Sequence, residues 1–269
     1  MARLRPGFLP AVLAAFLILA AVVPAVLDAA KDGPETEVPV RMARIVREYP
    51  HDPEAFTQGL LFHQGFLYES TGLYGRSAVR EVAPESGAVL RIHRLPGDRF
   101  GEGLARYGER LIQLTWRSRV LLVYDRKTFR FLAEFPYPRE GWGLASDGKR
   151  LMASDGTDRL YVLDPRTFRT LRSVAVTDAG RPVDRLNELE FVDGRILANV
   201  WESDRIARID PDSGRVEGWI DLAPLRERLR GTAAGTANGI AWDAAGRRLL
   251  VTGKNWPLLF EVKADQPQR

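Results

Sequence analysis

The chain repeats the pattern of QGLLFHQGFLYEST (Gln58–Thr71) four more times, as EGLARYGERLIQLTW (Glu102–Trp116), WGLASDGKRLMASDG (Trp142–Gly156), NELEFVDGRILANVW (Asn187–Trp201) and NGIAWDAAGRRLLVTGK (Asn238–Lys254). Each copy starts with a polar or aromatic residue, a residue that is usually glycine and an apolar residue, and continues as a hairpin. The third residues, at positions 60, 104, 144, 189 and 240, lie 44, 40, 45 and 51 residues apart. A period of about 40 to 50 residues with several short strands per unit is typical of β-propellers. The repeat therefore predicts an all-β, five-bladed β-propeller.

The turns of each unit follow the same period. Hairpin turns are predicted where glycine separates two apolar runs, at His63–Gly65, Asp147–Gly148 and Asp193–Gly194. A second turn recurs in the outer half of the units and begins at Ala83, Asp125, Asp164 and Asp210. Its aspartates are interpreted as turn caps and not as catalytic groups, because Asp at this position bonds the backbone of its own turn.

The two ends of the repeat region are expected to pair. MARIVREYPH (Met42–His51) reads as a strand and is predicted to pair with LFEVK (Leu259–Lys263), which completes the last blade and leaves no open sheet edge. LAPLRERLRG (Leu222–Gly231) is the one stretch with a helical pattern and is interpreted as a surface insertion.

Composition excludes several classes of protein. The 39 basic and 35 acidic residues give a net charge of +4 and are scattered along the chain, which argues against a nucleic-acid partner. The sequence has no cysteine, so disulfides and thiolate metal sites are excluded. Its three histidines lack HxH or HExxH spacing, which disfavours a zinc enzyme. We therefore expect no metal and no cofactor.

The N-terminus carries a targeting signal. MARLRPG supplies positive charge ahead of Phe8–Leu27, a 20-residue uncharged stretch that is long for a signal peptide and just long enough to span a bilayer. Residues 1–30 are predicted to be an export signal or a membrane anchor, which leaves a possible membrane tether through residues 8–27. A periplasmic or secreted location follows from the positive charge before the segment. Residues 31–40 are predicted as a linker, 41–263 as the propeller and 264–269 as a tail.

One mouth of the propeller is predicted to hold the functional site. The first strand of a blade lines the channel, and the start of strand one meets the end of strand two at the same mouth. The starts are Gln58, Glu102, Trp142, Asn187 and Asn238, and the ends are Glu69, Trp116, Asp155, Trp201 and Lys254. Each of these residues also has a structural explanation, such as packing between blades or a tight turn. Three tryptophans, a glutamate, a lysine and amides in one funnel nevertheless favour a small-ligand site.

The chemistry available there is proton transfer and orientation. A single Glu102 among indoles should have a raised pKa, because desolvation disfavours its charged form, and this suits proton transfer near neutral pH. A lysine and an asparagine can stabilise a developing oxyanion. These groups fit an intramolecular acyl transfer, whose nucleophile belongs to the substrate.

Longer motifs occur along the chain: PHDPEAFTQGL (Pro50–Leu60), FGEGLA (Phe100–Ala105), GWGLASDG (Gly141–Gly148), LNELE (Leu186–Glu190), ANVWESDRIARI (Ala198–Ile209) and VTGKNWPLLFEV (Val251–Val262). Over about residues 41–263 these motifs resemble a known family, the glutaminyl-peptide cyclotransferases of the plant and bacterial type. The resemblance implies a five-bladed propeller that converts an N-terminal glutamine of a peptide or protein to pyroglutamate and releases ammonia. The cysteines and longer loops of plant members are missing here.

The resemblance also implies roles for individual residues. Glu102 would be the acid/base, with Asn187 and Lys254 holding the substrate and its oxyanion in roles that the sequence does not divide. The substrate-binding residues would be Phe56, Gln58, Trp116, Trp142 and Trp201. Two other classes stay open: a non-catalytic propeller that binds peptide N-termini, and a metal-dependent, lactonase-like hydrolase, which would need several carboxylates at the mouth.

Overall fold

The computed structural model describes residues 1–2 and 37–264, and they form an all-β structure with one short helix. The strands before the helix are β1 (Val40–Pro50), β2 (Thr57–His63), β3 (Phe66–Thr71), β4 (Ala78–Ala83), β5 (Ala88–Arg94), β6 (Gly101–Tyr107), β7 (Arg110–Thr115), β8 (Val120–Asp125), β9 (Phe131–Pro136), β10 (Leu144–Ser146), β11 (Leu151–Ala153), β12 (Arg159–Leu163), β13 (Thr170–Ala175), β14 (Thr177–Asp178), β15 (Arg181–Pro182), β16 (Leu186–Val192), β17 (Arg195–Val200), β18 (Arg205–Ile209) and β19 (Val216–Asp221). They are followed by helix α1 (Ala223–Arg228) and by β20 (Ala237–Asp243), β21 (Arg248–Gly253) and β22 (Leu258–Ala264).

Most strands belong to four-stranded antiparallel units. β2–β5, β6–β9 and β10–β13 form three separate sheets, each in sequence order. The fourth sheet has eight strands in the order β16-β17-β18-β19-β1-β22-β21-β20, because β1 pairs both with β22 and, in parallel over Val40–Met42, with β19. β14 and β15 form a small hairpin of their own. The prediction of an all-β fold is thereby confirmed.

The N-terminal strand completes the last unit, as the sequence predicted. β1 runs antiparallel to β22, from Ala43 opposite Ala264 to Pro50 opposite Leu258. The strands extend one residue beyond the predicted domain at each end, since β1 begins at Val40 and β22 ends at Ala264. The rest of the predicted targeting segment, including residues 8–27, lies outside the described part of the chain.

The innermost strands of the units contact one another in a closed cycle: β2 with β6, β6 with β10, β10 with β16, β16 with β20 and β20 with β2. This cycle gives the sheets a propeller-like arrangement. The third residue of each repeat copy lies between two adjacent units and is fully buried. Leu60, for example, packs with Ala241 and Leu250 of the last unit and with Leu67 and Val82 of its own. The apolar period of the sequence is therefore the period of the inter-sheet core.

The second residue of the repeat lies where neighbouring first strands approach most closely. It is glycine at Gly59, Gly103, Gly143 and Gly239, and a Cβ on Gly59 would lie 2.5 Å from the Leu104 nitrogen. The remaining copy has Glu188, which is fully buried. Its Oε1 accepts the Leu60 N–H at 3.2 Å and its Oε2 accepts the Ile240 N–H at 2.9 Å. One carboxylate thus satisfies backbone donors of two other units in the middle of the cycle.

The turn predictions hold with one correction. Oδ1 of Asp125, Asp164 and Asp210 accepts hydrogen bonds from the backbone and hydroxyl of the residue three positions later, so these aspartates cap turns. The hairpin at Asp193–Gly194 is a two-residue turn, because Val192 pairs with Arg195. The loop at Asp147 is longer than predicted, since Ser146 pairs with Leu151 and Asp147 accepts the backbone N–H groups of residues 149 and 150.

Candidate active site

β-Bulges place the first residue of the repeat at the mouth of the cycle. In β2, β6, β16 and β20 the pairing register shifts at this position, for example between Gly101 and Leu104 in β6. A bulge inserts one extra residue and re-aims a side chain, which is why bulges are common beside active sites. The residues at these four bulges are Gln58, Glu102, Asn187 and Asn238.

The eight residues predicted to form the site line one cavity of about 420 Å³. They are Phe56, Gln58, Glu102, Trp116, Trp142, Asn187, Trp201 and Lys254. Phe100, Arg117 and Glu140 line it too. A larger cavity of about 530 Å³ lies at the other end of the first strands, among the hairpin turns, and contains none of the eight. The polar and aromatic residues predicted from the repeat thus converge in the smaller cavity.

Three other residues named at the mouth do not line this cavity. Glu69 pairs with Leu60 and Arg80 inside its sheet, three residues before the position equivalent to Trp116. Asp155 accepts hydrogen bonds from the backbone and hydroxyl of Thr157. Asn238 is fully buried behind Gln58. The prediction that these side chains line the funnel is therefore wrong.

At the equivalent position after the second strand of each unit, the first and third units have glycine. Gly72 and Gly156 stand where the second and fourth units have Trp116 and Trp201. A Cβ on Gly72 would lie 2.6 Å from Cζ of Phe100, and one on Gly156 would lie 2.7 Å from Cζ2 of Trp142. Each glycine therefore leaves the space into which an aromatic ring of the cavity packs.

Glu102 is the most deeply placed acid of the cavity, with 5% of its surface exposed. Burial raises the pKa of Glu102 well above its usual range, while the charge of Lys254 and a hydrogen bond from Gln58 act in the opposite direction. Burial lowers the pKa of Lys254, and the negative charge of Glu102 opposes that shift. Desolvation, the cause expected from the sequence, makes the largest contribution to the raised pKa of Glu102.

A hydrogen bond between two side-chain amides orients Gln58, the hydrogen-bond partner of Glu102. Asn238 Nδ2 donates to Gln58 Oε1 at 2.8 Å and to the Thr57 carbonyl oxygen at 3.1 Å. Because its oxygen is occupied by Asn238, the amide of Gln58 presents its N–H groups to Glu102. Asn238, which the sequence placed in the funnel, instead fixes the orientation of a residue that lines it.

Aromatic rings form the walls of the cavity. Trp142 and Trp201 meet edge to face with ring centroids 5.8 Å apart. Phe100 packs against Phe56 at 6.2 Å and against Trp116 at 5.5 Å. Edge-to-face contacts of this kind add to the stability that area burial gives. Trp201 is 37% exposed, so it forms the outer wall.

Two polar groups of the cavity complete its chemistry. Asn187 Oδ1 is buried and has no hydrogen-bond partner within residues 37–264, so it is available to a donor of a bound molecule. The Lys254 ammonium lies 4.9 Å from the centre of the Phe56 ring, at the interface of the apolar and polar sides. Asparagine oxygen is an acceptor and the lysine ammonium is a donor without acceptor capacity.

The sequence analysis missed Phe100, Arg117, Glu140 and Glu188. Phe100 stands two residues before Glu102, as Phe56 stands two residues before Gln58, so the repeat itself could have indicated it. Glu188 was visible as the one non-glycine at the second position of the repeat. Glu140 and Arg117 lie in connections outside the repeated pattern, and no sequence signal marked them.

Within the described residues, no group of three or more histidine and acidic side chains could hold a metal ion. The hydrolase interpretation counted three carboxylates at this mouth, and Glu69 and Asp155 lie outside the cavity.

Known proteins match this chain over most of its length. A family model described as glutamine cyclotransferase matches residues 17–264. The chain belongs to the glutamine cyclotransferase family. The glutaminyl-peptide cyclotransferase of Arabidopsis thaliana is 46% identical over 227 residues, which make up 82% of this chain and 71% of that protein. The crystal structure of Myxococcus xanthus glutaminyl cyclase matches with 41% identity and a TM-score of 0.80, over 85% of this chain and 98% of that chain.

These matches confirm the family predicted from the motifs. The two relatives are named as a glutaminyl-peptide cyclotransferase and a glutaminyl cyclase, and this chain is an enzyme of the glutamine cyclotransferase family. Within residues 1–2 and 37–264, no helix has the length and apolarity needed to cross a membrane.

Proposed function

We propose that the protein converts the N-terminal glutamine of peptides or proteins to pyroglutamate and releases ammonia at the cavity that contains Glu102. The observation that carries this proposal is a buried carboxylate of raised pKa, enclosed by aromatic rings and facing a single lysine. Such a carboxylate can take and return a proton near neutral pH. The four-stranded units, whose first strands form a closed cycle, are proposed to be five blades of one propeller.

The reaction begins with the neutral α-amine of the bound glutamine. An α-amine pKa of about 8 leaves a usable neutral fraction at neutral pH. Its nitrogen attacks the carbon of the γ-carboxamide, a new C–N bond closes the ring, and Glu102 takes a proton from the amine. Both reacting groups belong to one residue, so the protein has to select one conformation and does not have to bring two molecules together.

The intermediate carries negative charge on the former amide oxygen. Lys254 can donate to that oxygen, whereas Asn187 Oδ1 is an unpartnered acceptor and suits the N–H groups of the substrate. Glu102 then returns its proton to the amide nitrogen, the original C–N bond breaks, and ammonia leaves with pyroglutamate at the peptide terminus. The tryptophans enclose the aliphatic part of the glutamine and exclude water, which would otherwise compete as a nucleophile.

A direct assay tests this function. The purified full chain is incubated with a Gln-initiated peptide and, separately, with the same peptide starting with asparagine. The masses of both products are then measured by mass spectrometry. Loss of one ammonia from the glutamine peptide alone is the expected result. Tight binding of the peptide without loss of ammonia would instead identify a protein that captures peptide N-termini. Turnover that persists in a strong chelator is also expected, whereas loss of turnover that zinc or calcium restores would favour a metal enzyme.

We further propose that the protein is exported to the periplasm or secreted, with residues 8–27 as a signal peptide or a membrane tether. The support is the uncharged stretch that follows the positive N-terminus. Cell fractionation that finds the full-length chain free in the cytoplasm would contradict export. The intact mass of the exported protein decides between cleavage and anchoring.

A further inference from the structure

Glu140 is a second carboxylate of the cavity and lies in the connection between β9 and β10. Its Oε2 accepts the indole N–H of Trp116 at 2.8 Å and that of Trp142 at 3.4 Å. Arg117 approaches Oε1 at 3.8 Å, and its guanidinium lies 4.0 Å above the ring of Trp116. One carboxylate therefore joins tryptophans that come from two different sheets.

Fixing these two indoles fixes much of the aromatic wall. Trp116 contacts Phe100 at 5.5 Å, and Trp142 contacts Trp201 at 5.8 Å. A buried indole N–H needs a hydrogen-bond acceptor, and an ionised acceptor gives the stronger bond. Without Glu140 both indoles would lose this acceptor and could rotate, and the rings that meet them edge to face would lose a fixed neighbour.

Glu140 also acts on Glu102 through its charge. Its negative charge adds to the effect of burial and raises the pKa of Glu102, in opposition to Lys254. The proton affinity of the buried acid is thus set by a cation on one side and by an anion on the other.

We propose that Glu140 is a positioning residue of this site, which fastens the indoles of Trp116 and Trp142 and places a negative charge beside Glu102. It acts through these three residues. The proposal rests on the proposed cyclisation for its kinetic consequences, whereas the fastening of the indoles can be measured without turnover.

Glu202 offers a matched control at the rim. Its Oε2 accepts a hydrogen bond from Arg185 at 2.6 Å, and the Arg185 guanidinium lies 5.7 Å from the ring centre of Trp201. Glu202 is thus also an acid beside an arginine that covers a pocket tryptophan. Among the described residues it accepts no hydrogen bond from an indole, and its charge is not among the causes that shift the pKa of Glu102.

The test compares Glu140→Gln, Glu140→Ala and Glu202→Gln with the unaltered protein. For each we measure KM and kcat for a Gln-initiated peptide and the pH profile of kcat/KM. Removal of the negative charge lowers the pKa of Glu102, so we expect the acid limb to move to lower pH in both Glu140 variants. We expect KM to rise on the order of tenfold in Glu140→Ala and less in Glu140→Gln, which keeps a carbonyl acceptor. Glu202→Gln should leave KM and the acid limb of the pH profile unchanged.

A double substitution separates the two effects. Trp116→Phe with Trp142→Phe removes both indole N–H groups, so adding Glu140→Ala to that background should no longer raise KM but should still move the acid limb. An unchanged acid limb together with an unchanged KM in Glu140→Gln and Glu140→Ala would overturn the proposal. Should Glu140→Ala not fold, Glu140→Gln decides on the acid limb alone.

Tryptophan near-UV circular dichroism distinguishes failure of this proposal from failure of the proposed function. We expect Glu140→Ala to change the indole signal and Glu202→Gln to leave it unchanged, whether or not the protein releases ammonia. An identical indole signal in Glu140→Ala and the unaltered protein would contradict the fastening of the indoles.

Discussion

Glu69 and Glu102 are both buried glutamates of the first two sheets, with 1% and 5% of their surfaces exposed, yet their surroundings have opposite effects. Glu69 Oε1 accepts the Thr57 hydroxyl at 2.7 Å and lies 3.0 Å from His51 Nε2, while Oε2 accepts Arg80 Nε at 3.1 Å. Burial raises the pKa of Glu69, but the charges and hydrogen bonds of Arg80 and His51 outweigh burial and hold it well below its usual range. Glu102 faces one lysine, and burial dominates.

The comparison shows that burial alone does not decide what a carboxylate does. Desolvation favours the neutral form of both acids, and the number and geometry of cationic partners decide the outcome. A carboxylate held in its charged form by an arginine and a histidine stabilises the fold but cannot exchange protons near neutral pH. Glu102 has less compensation and can exchange them, and it lines the cavity.

Substitution at Glu102 should produce the largest effect. Glu102→Gln keeps the size and hydrogen-bonding capacity of the side chain but cannot carry a proton. A general acid/base step contributes a factor of about 10² to 10⁴, so we expect kcat to fall by that order. Steady-state turnover of a Gln-initiated peptide measures it, with circular dichroism and peptide binding as controls for the fold and the pocket. Turnover within about tenfold of the unaltered protein, or about 1.4 kcal/mol of barrier, would refute the assignment.

Substitution at Glu69 should have the opposite profile. Glu69→Gln leaves Arg80 and His51 buried beside a neutral group, and breaking a buried ion pair costs about 3–5 kcal/mol. We expect the free energy of unfolding in urea to fall by that amount, while kcat per folded molecule stays within a few-fold. A Glu69→Gln protein of normal stability that does not turn over substrate would reverse the roles drawn from this comparison.

The same pair of residues shows what the sequence could and could not predict. The repeat correctly placed Glu102, because its position is defined by the glycine and leucine that follow it. Glu69 was assigned to the mouth because one copy of the repeat was read three residues short, and only the pairing of Leu60 with Glu69 shows that Gly72 is the equivalent of Trp116. Strand register depends on contacts across the sheet, which a single sequence does not contain.

Residues outside the repeat were predictable to different degrees. The aromatic walls could be predicted because the repeat places tryptophans at the same end of several units. All three predicted tryptophans line the cavity. Glu140 belongs to a connection whose path is set by packing against other units, so its contact with Trp116 could not be derived from spacing. Glu188 was an exception within the pattern, and its use as an acceptor for two backbone N–H groups became clear only from the structure.

Trp201→Ala should have a smaller effect and should act on binding. The indole is partly exposed and meets Trp142 edge to face, and such aromatic pairs contribute about 0.5–1.5 kcal/mol beyond their buried area. We expect KM to rise by roughly three- to tenfold with kcat nearly unchanged, since proton transfer at Glu102 is not altered. A fall in kcat without a change in KM would instead assign Trp201 to the chemical step.

The smallest effect is expected from the titration of His51, and it tests the ion cluster around Glu69. Burial lowers the pKa of His51, but the charge of Glu69 and its hydrogen bond outweigh burial, so the pKa is raised in the folded protein. A raised folded pKa means that the stabilisation is fully present below the unfolded pKa of about 6.5 and is lost as the pH rises through the folded value. Urea unfolding of the unaltered protein and of His51→Asn, measured between about pH 5.5 and pH 9, should show a stability difference that shrinks as the pH rises. A difference that is independent of pH would mean that His51 stabilises the cluster by hydrogen bonding and not by charge, and Arg80 would then supply the positive charge that lowers the pKa of Glu69.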